Sequence, residues 1–211
     1  MTSATWDQRF AERPWSSQPD PLLTALADQL PPGRALDLGC GPGRNAIWLA
    51  QRGWRVSGVD SSRVGLDQAR DRAAASGVRL ELVLADLHTY PVPDAAFDLI
   101  VVANLHPGPG GLPEILARAT AGLIPGGRLF VVGHHLDNLG LDGPDDPALL
   151  YTVAELAAEL PDGLAVDRLE RVERDPGHRN GAPDAAVLLW GHRPAAGGGA
   201  SPAPARPHGE P

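Results

Sequence analysis

The 211 residues carry 18 Lys and Arg against 26 Asp and Glu, for a formal charge of −8 and a pI near 5.3. An acidic chain without a long basic run lacks the footprint of a nucleic-acid binder, and no apolar stretch approaches the roughly 20 residues that span a bilayer. Cys40 is the single cysteine and the start shows no signal-peptide pattern, so a cytoplasmic location is expected.

In chain order, residues 1–19 form a polar segment set with Trp6, Phe10 and Trp15, read as a partly ordered flap. Asp20 then caps a helix with Pro21 at its first position, stopped by Pro31-Pro32-Gly33. Ala35-Leu36-Asp37-Leu38 is a short strand that enters Gly39-Cys40-Gly41-Pro42-Gly43, and a helix follows from Asn45 to Arg52. Trp54 to Asp60 reads as a second strand, a helix capped by Ser61 or Ser62 runs to about Ser76, and Val78 to Leu84 reads as a third strand. Phe97 to Ala103 is an apolar run of the kind buried on both faces of a sheet. A helix from about Leu112 to Ala121, a Pro-Gly-Gly turn and a strand from Arg128 to Gly133 come next. His134 to Leu150 is a long loop and a binding-loop candidate. Thr152 to Glu155 is a capping box that opens the last helix, and Leu164–Glu173 and Ala185–His192 form a terminal antiparallel hairpin.

This order predicts an α/β fold: a three-layer, Rossmann-like, seven-stranded, mostly parallel sheet with helices on both faces and a C-terminal antiparallel hairpin. The main domain spans 20–193, and the Gly, Ala, Pro and Ser tail at 194–211 is expected to be disordered. The sixth strand is expected to run parallel to its neighbours, which carries its hairpin turn to the carboxyl edge of the sheet. In an open α/β sheet the ligand sits beyond that edge.

Gly39, Gly41 and Gly43 give G-x-G-x-G where a dinucleotide fingerprint needs G-x-G-x-x-G. N–H groups at the start of the following helix are expected to face the ligand. Asp37 would repel a diphosphate and welcome an ammonium or sulfonium, while Asp60 can accept from both ribose hydroxyls. An NAD-linked oxidoreductase is thereby disfavoured.

These residues resemble the class I S-adenosylmethionine-dependent methyltransferases, whose first motif has this acidic-x-G-x-G-x-G form. Trp6-Asp7-Gln8-Arg9-Phe10, Leu36-Asp37-Leu38-Gly39-Cys40-Gly41 with Gly43-Arg44-Asn45, and the hairpin turn with His178-Arg179 are similar to the tellurite-resistance methyltransferases and their small-molecule relatives. The resemblance implies S-adenosylmethionine as cofactor, with Asp86 accepting from the adenine amino group. The cofactor candidates are Arg9, Asp37, Gly39, Cys40, Gly41, Gly43, Asn45, Asp60, Ser61, Asp86, Leu87 and Asn104. His178 and Arg179 are implied substrate contacts, and His106, His134, His135 and His178 are candidate bases near neutral pH. No tight His or Cys spacing supports a metal site. A methyltransferase for a small-molecule acceptor is expected, a monomer or homodimer acting without nucleic acid or membrane. The competing reading is a non-catalytic sensor of the same cofactor.

Overall fold

Alternate side chains of each central strand enter two different cores, and this places helices on both faces of one sheet. The computed structural model describes residues 2–108, 110–141, 144–174 and 184–195. Its strands are β1 (Arg34–Leu38), β2 (Arg55–Asp60), β3 (Glu81–Leu84), β4 (Phe97–Ala103), β5 (Leu123–His134), β6 (Ala165–Arg174) and β7 (Asp184–His192). The helices are α1 (Ser3–Glu12), α2 (Pro21–Ala27), α3 (Arg44–Gln51), α4 (Arg63–Ala75), α5 (Gly111–Gly122) and α6 (Val153–Ala158). The strand order is β3-β2-β1-β4-β5-β7-β6. Leu36, Ile100, Val102 and Val131 face Ile115 and Leu116 of α5 and Leu156 of α6. Leu99, Val101, Phe130 and Val132 face Leu23 of α2 and Trp48 and Leu49 of α3. Both cores are apolar because a strand with two covered faces leaves no side for water.

Strands β1 to β5 are parallel, β7 pairs antiparallel with β5, and β6 pairs antiparallel with β7. The sixth strand therefore runs in the direction of β1 to β5 without touching them, a correction to the expectation that it lies parallel to its neighbours. Its carboxyl end, Arg174, still emerges at the edge that receives the exits of β1, β2, β4 and β5. Strand β3 begins at Glu81 rather than Val78, and β5 begins at Leu123. Between Leu123, which pairs with Phe97, and Arg128, which pairs with Leu99, the Pro125-Gly126-Gly127 turn breaks the register.

Two further expectations change. The N-terminal flap is a helix: Thr2 caps α1, which packs Phe10 against α4. The 134–150 loop contains 3₁₀ turns at Leu136–Asn138 and Pro147–Leu149, and His135 bridges to Tyr151. No described helix is long and apolar enough to cross a membrane.

Candidate functional site

At the exit of β1, Gly39, Gly41 and Gly43 have φ of 77°, 49° and 82°. A Cβ added to them would lie 3.0 Å from Leu105, Phe10 and Ala69 respectively, so conformation and space both demand glycine. The N–H groups of the turn are committed within the fold. Gly39 and Cys40 donate to Val59 O at 2.8 and 3.1 Å, Gly41 to Asp60 Oδ2 at 2.8 Å and Gly43 to Cys40 O at 2.9 Å. The turn's own donors are thus spent within the fold, while α3 starts after Gly43, which offers no side-chain cap to its first N–H groups.

Asp37 is 2% exposed, and its Oδ2 has no hydrogen-bond partner among the described residues. Burial pushes its pKa up to about 7, opposed by Arg44, reinforced by Asp60 and opposed by the Ala46 N–H. A buried carboxylate oxygen without a donor costs stability until a cation or donor meets it, so this atom fits the ammonium of an amino-acid ligand. Asp60 is also buried, which raises its pKa although Ser62 N and Gly41 N each donate to its carboxylate at 2.8 Å. Each of its oxygens keeps a second lone pair for a hydroxyl. Ser61 follows it, half-buried, and Cys40 points its sulfur at Gly58 of β2, a packing role for its side chain.

Helix α1 closes over this end of the sheet. Asp7 Oδ1 accepts from Ser62 Oγ at 2.5 Å and Val64 N at 3.1 Å, while Gln68 Nε2 donates to Phe10 O at 2.9 Å. Trp6, Phe10 and Trp15 pack on one another with centroids 4.9–6.3 Å apart, and the Arg9 guanidinium lies 5.2 Å from the Trp6 ring centre. Further along, exposed Asp86 accepts the His88 N–H at 2.9 Å and so closes its own turn. Buried Leu87 would lie 3.6 Å from a Cβ added at Gly39. Asn45 lies behind the turn, where its Oδ1 accepts the Asp20 N–H at 2.9 Å.

The exits of β4, β5 and β6 and the start of β7 meet at Arg174, which sequence reasoning passed over. Its Nη1 donates to Asp20 Oδ2 at 3.1 Å and Asn104 Oδ1 at 3.3 Å, and its Nη2 to Asp184 Oδ1 at 3.0 Å. Its Nε lies 2.8 Å from Asp184 Oδ2, at ion-pair distance without hydrogen-bond alignment. Arg174 is 8% exposed and Asp20 1%. Burial alone would raise Asp184, but His134 and the Arg174 charge hold its carboxyl well below the usual range. Asn104, which joins this cluster, has a φ of 53°, in the left-handed region that asparagine tolerates.

His106 and His134 stack with ring centres 5.6 Å apart, and His106 stacks likewise on Tyr151. The Tyr151 hydroxyl donates to Leu105 O. His106 Nδ1 lies 2.6 Å from Leu149 O. Burial lowers the His106 pKa to about 4, helped by His134, against the Leu149 contact. His135 turns away, its Nδ1 accepting from Asp137 N at 3.1 Å. His178 and Arg179 lie outside the described residues. Two of the expected histidines, His106 and His134, thus converge. Among the described residues no group of three or more His, Cys, Asp or Glu could hold a metal ion.

Residues 35–127 match the model of a methyltransferase domain. Trans-aconitate 2-methyltransferase of Streptomyces avermitilis is 38% identical over 145 residues, 64% of this chain and 53% of that protein. Over that segment the chain is similar to methyltransferases, and its fold is that of solved S-adenosylmethionine-dependent methyltransferases. A second methyltransferase relative, the 2-heptyl-1-hydroxyquinolin-4(1H)-one methyltransferase of Mycobacteroides abscessus, is 31% identical over 134 residues, 60% of this chain and 58% of its own length. The chain spans about half the length of the curated relatives it matches. In fold, it superposes on TehB from Haemophilus influenzae with a TM-score of 0.71 at 16% identity, covering 89% of this chain and 67% of that chain. Another chain of this fold, the tRNA (uracil-54, C5)-methyltransferase of Pyrococcus abyssi, was solved in complex with S-adenosyl-L-homocysteine and superposes with a TM-score of 0.57 at 22% identity, over 81% of this chain and 37% of that one.

Proposed function

We propose that this chain transfers the methyl group of S-adenosylmethionine to a small molecule held at the carboxyl edge of the sheet. The observation that carries the reading is Asp37, whose buried Oδ2 has no partner among the described residues and sits beside a turn whose Gly39, Cys40, Gly41 and Gly43 N–H groups are all spent within the fold. Asp37 would meet the cofactor's ammonium, Asp60 its ribose hydroxyls, and Leu87 with the Gly39 face its base. The bound cofactor supplies an electrophilic methyl on sulfur. The protein's task is then to hold the acceptor in line with that methyl, where orientation can contribute several of the roughly 7–11 kcal/mol that proximity offers.

The acceptor would enter beside His106, Asn104 and His134. A charge of −8 disfavours polyanions, and trans-aconitate and 2-heptyl-1-hydroxyquinolin-4(1H)-one, named for the relatives, are both small. Calorimetry with S-adenosylmethionine, S-adenosylhomocysteine and NAD tests the cofactor half. Binding of NAD without S-adenosylmethionine would refute it. Labelled S-adenosylmethionine incubated with a metabolite extract tests the transfer, and binding without any labelled product would favour a sensor.

A further inference from the structure

We propose that His106 is the base that takes the acceptor's proton, and that the acceptor therefore presents a hydroxyl rather than an already ionised carboxylate. This rests on the methyl-transfer reading above. Three described histidines leave the ends of β4 and β5, and the contacts of one of them fix where its hydrogen sits. Leu149 O can only accept, so at 2.6 Å the His106 Nδ1 carries the hydrogen and Nε2 is left with a bare lone pair. That Nε2 has no hydrogen-bond partner among the described residues. The other two differ. His135 Nδ1 accepts from Asp137 N, and that ring turns away from the cluster. His134 Nδ1 is shared: Asn138 Nδ2 and Arg174 Nη2 lie 3.3 and 3.4 Å from it, and the acceptor Asp184 Oδ1 lies 3.4 Å from it. His106 is the ring of the stacked pair whose contact fixes the hydrogen on Nδ1 and leaves Nε2 open.

The ring is also fixed in place. It stacks on His134 from the end of β5 and on Tyr151 from the segment before α6, at interplanar angles of 20° and 18°. The charged and titratable groups around it are Arg9 from α1, His134 from β5, Tyr151, and Arg174 from β6, with Asp184 of β7 behind Arg174. Burial beside these cations keeps the ring neutral. A neutral ring with an open Nε2 takes a hydroxyl's proton most readily where that hydroxyl is acidic, as in an enol, a phenol or an N-hydroxy group. As the bond from the hydroxyl oxygen to the methyl carbon forms, the carbon–sulfur bond breaks and its electron pair passes to sulfur. The hydroxyl proton passes to Nε2, and the resulting imidazolium releases it to solvent. An ionised carboxylate would need no such group. Arg174 acts here as a positioning residue, through His134.

The first test needs no cofactor. In protein labelled with ¹⁵N-histidine, the His106 ring should carry its proton on Nδ1 and stay neutral from pH 8 to pH 5. Its contact with Tyr151 assigns the signal, so the result does not depend on a variant that folds. A proton on Nε2, or a charged ring at pH 7, overturns the proposal. The second test uses labelled S-adenosylmethionine with two probes, 2-heptyl-1-hydroxyquinolin-4(1H)-one and trans-aconitate. The hydroxyl probe should be the better acceptor, and His106→Gln should lower its kcat by about 10²-fold with the S-adenosylmethionine Kd unchanged. Preference for trans-aconitate, or wild-type kcat in His106→Gln, overturns it. Failure of the wild type to bind S-adenosylmethionine would strike the methyl-transfer reading instead and leave the tautomer result standing.

Discussion

One edge of one sheet is held together in two different ways. At the exits of β1 and β2, main-chain donors do most of the holding: Gly39 and Cys40 donate to Val59 O, and Gly41 N and Ser62 N to the one side chain involved, the Asp60 carboxylate. At the exits of β4 to β6, side chains do it, with Arg174 joining Asp20, Asn104, His134 and Asp184. A backbone lattice tolerates side-chain change and keeps its shape, which suits the part of the site that meets an invariant cofactor. A side-chain network can be rebuilt by substitution, which suits the part that must fit a particular acceptor. Loss of one member should consequently be far more damaging in the second half than in the first.

The largest expected effect breaks that network. Arg174→Ala leaves buried Asp20 and half-buried Asp184 without their cation, and removing one partner of a buried pair costs about 3–5 kcal/mol. Urea denaturation at pH 7 should show that loss, and Arg174→Lys should recover part of it. A change below about 1 kcal/mol would mean that the cluster is solvated and the contrast between the two halves false.

Next comes a pH effect that separates the halves by sign. Asp37 has a folded pKa raised to about 7, so the folded state binds the extra proton and stability falls as pH climbs from about 4 to 7. His106 has a folded pKa lowered to about 4, so the unfolded state binds the extra proton and stability falls as pH drops from about 6.5 to 4. Each slope integrates to roughly 3–4 kcal/mol, and the two oppose within the same window. Asp37→Asn should therefore uncover the histidine's slope, making the cofactor-free variant more stable at pH 8 than at pH 4.5 by a wider margin than the wild type. It should also weaken S-adenosylmethionine more than adenosine. Identical pH–stability curves for variant and wild type would place Asp37 in an ordinary solvated setting.

Smaller again is Asp60→Ala, which removes the proposed ribose acceptor together with the anchor for Gly41 N and Ser62 N. Each charge-assisted hydrogen bond lost should weaken cofactor binding by about 1.5–3 kcal/mol, read by calorimetry on a variant whose circular dichroism is unchanged. Unaltered affinity would move the ribose elsewhere.

The same contrast explains what could be read from sequence. The cofactor half is local: Asp37, the glycine triplet and Asp60 lie within 24 positions of one another, and turn chemistry with strand–helix alternation locates them all. The helix starts were equally legible, since Asp20, Ser62 and Thr152 each accept an N–H in the first turn of the helix they precede. Arg174 gave no signal. It ends a strand whose other charges, Asp167, Arg168, Glu170, Arg171 and Glu173, pair at the surface, and its partner Asp20 lies 154 positions away. Asp20 was legible as a cap, which concealed its second role. The commitment of the turn's N–H groups was hidden too, because Val59 O and Asp60 become their acceptors only once β2 lies beside β1.

The smallest prediction sharpens the contrast by touching neither network directly. Thr152 and Glu155 form a reciprocal cap on α6, with Thr152 Oγ1 donating to Glu155 Oε2 at 2.7 Å and accepting the Glu155 N–H at 3.2 Å. Thr152→Ala removes both bonds from an exposed helix end, for which losses of about 1 kcal/mol are usual. The preceding residue, Tyr151, keeps its hydroxyl on Leu105 O and its backbone on His134 O, because neither bond passes through the Thr152 side chain. The melting temperature should fall by a few degrees, as a loss of that size implies for a domain of this length. The His106 ring should keep its proton on Nδ1. If instead the His106 signals shift in this variant, the ring stack is held by α6 rather than by Arg174 and Leu149, and the acceptor half would depend on a short helix at its margin.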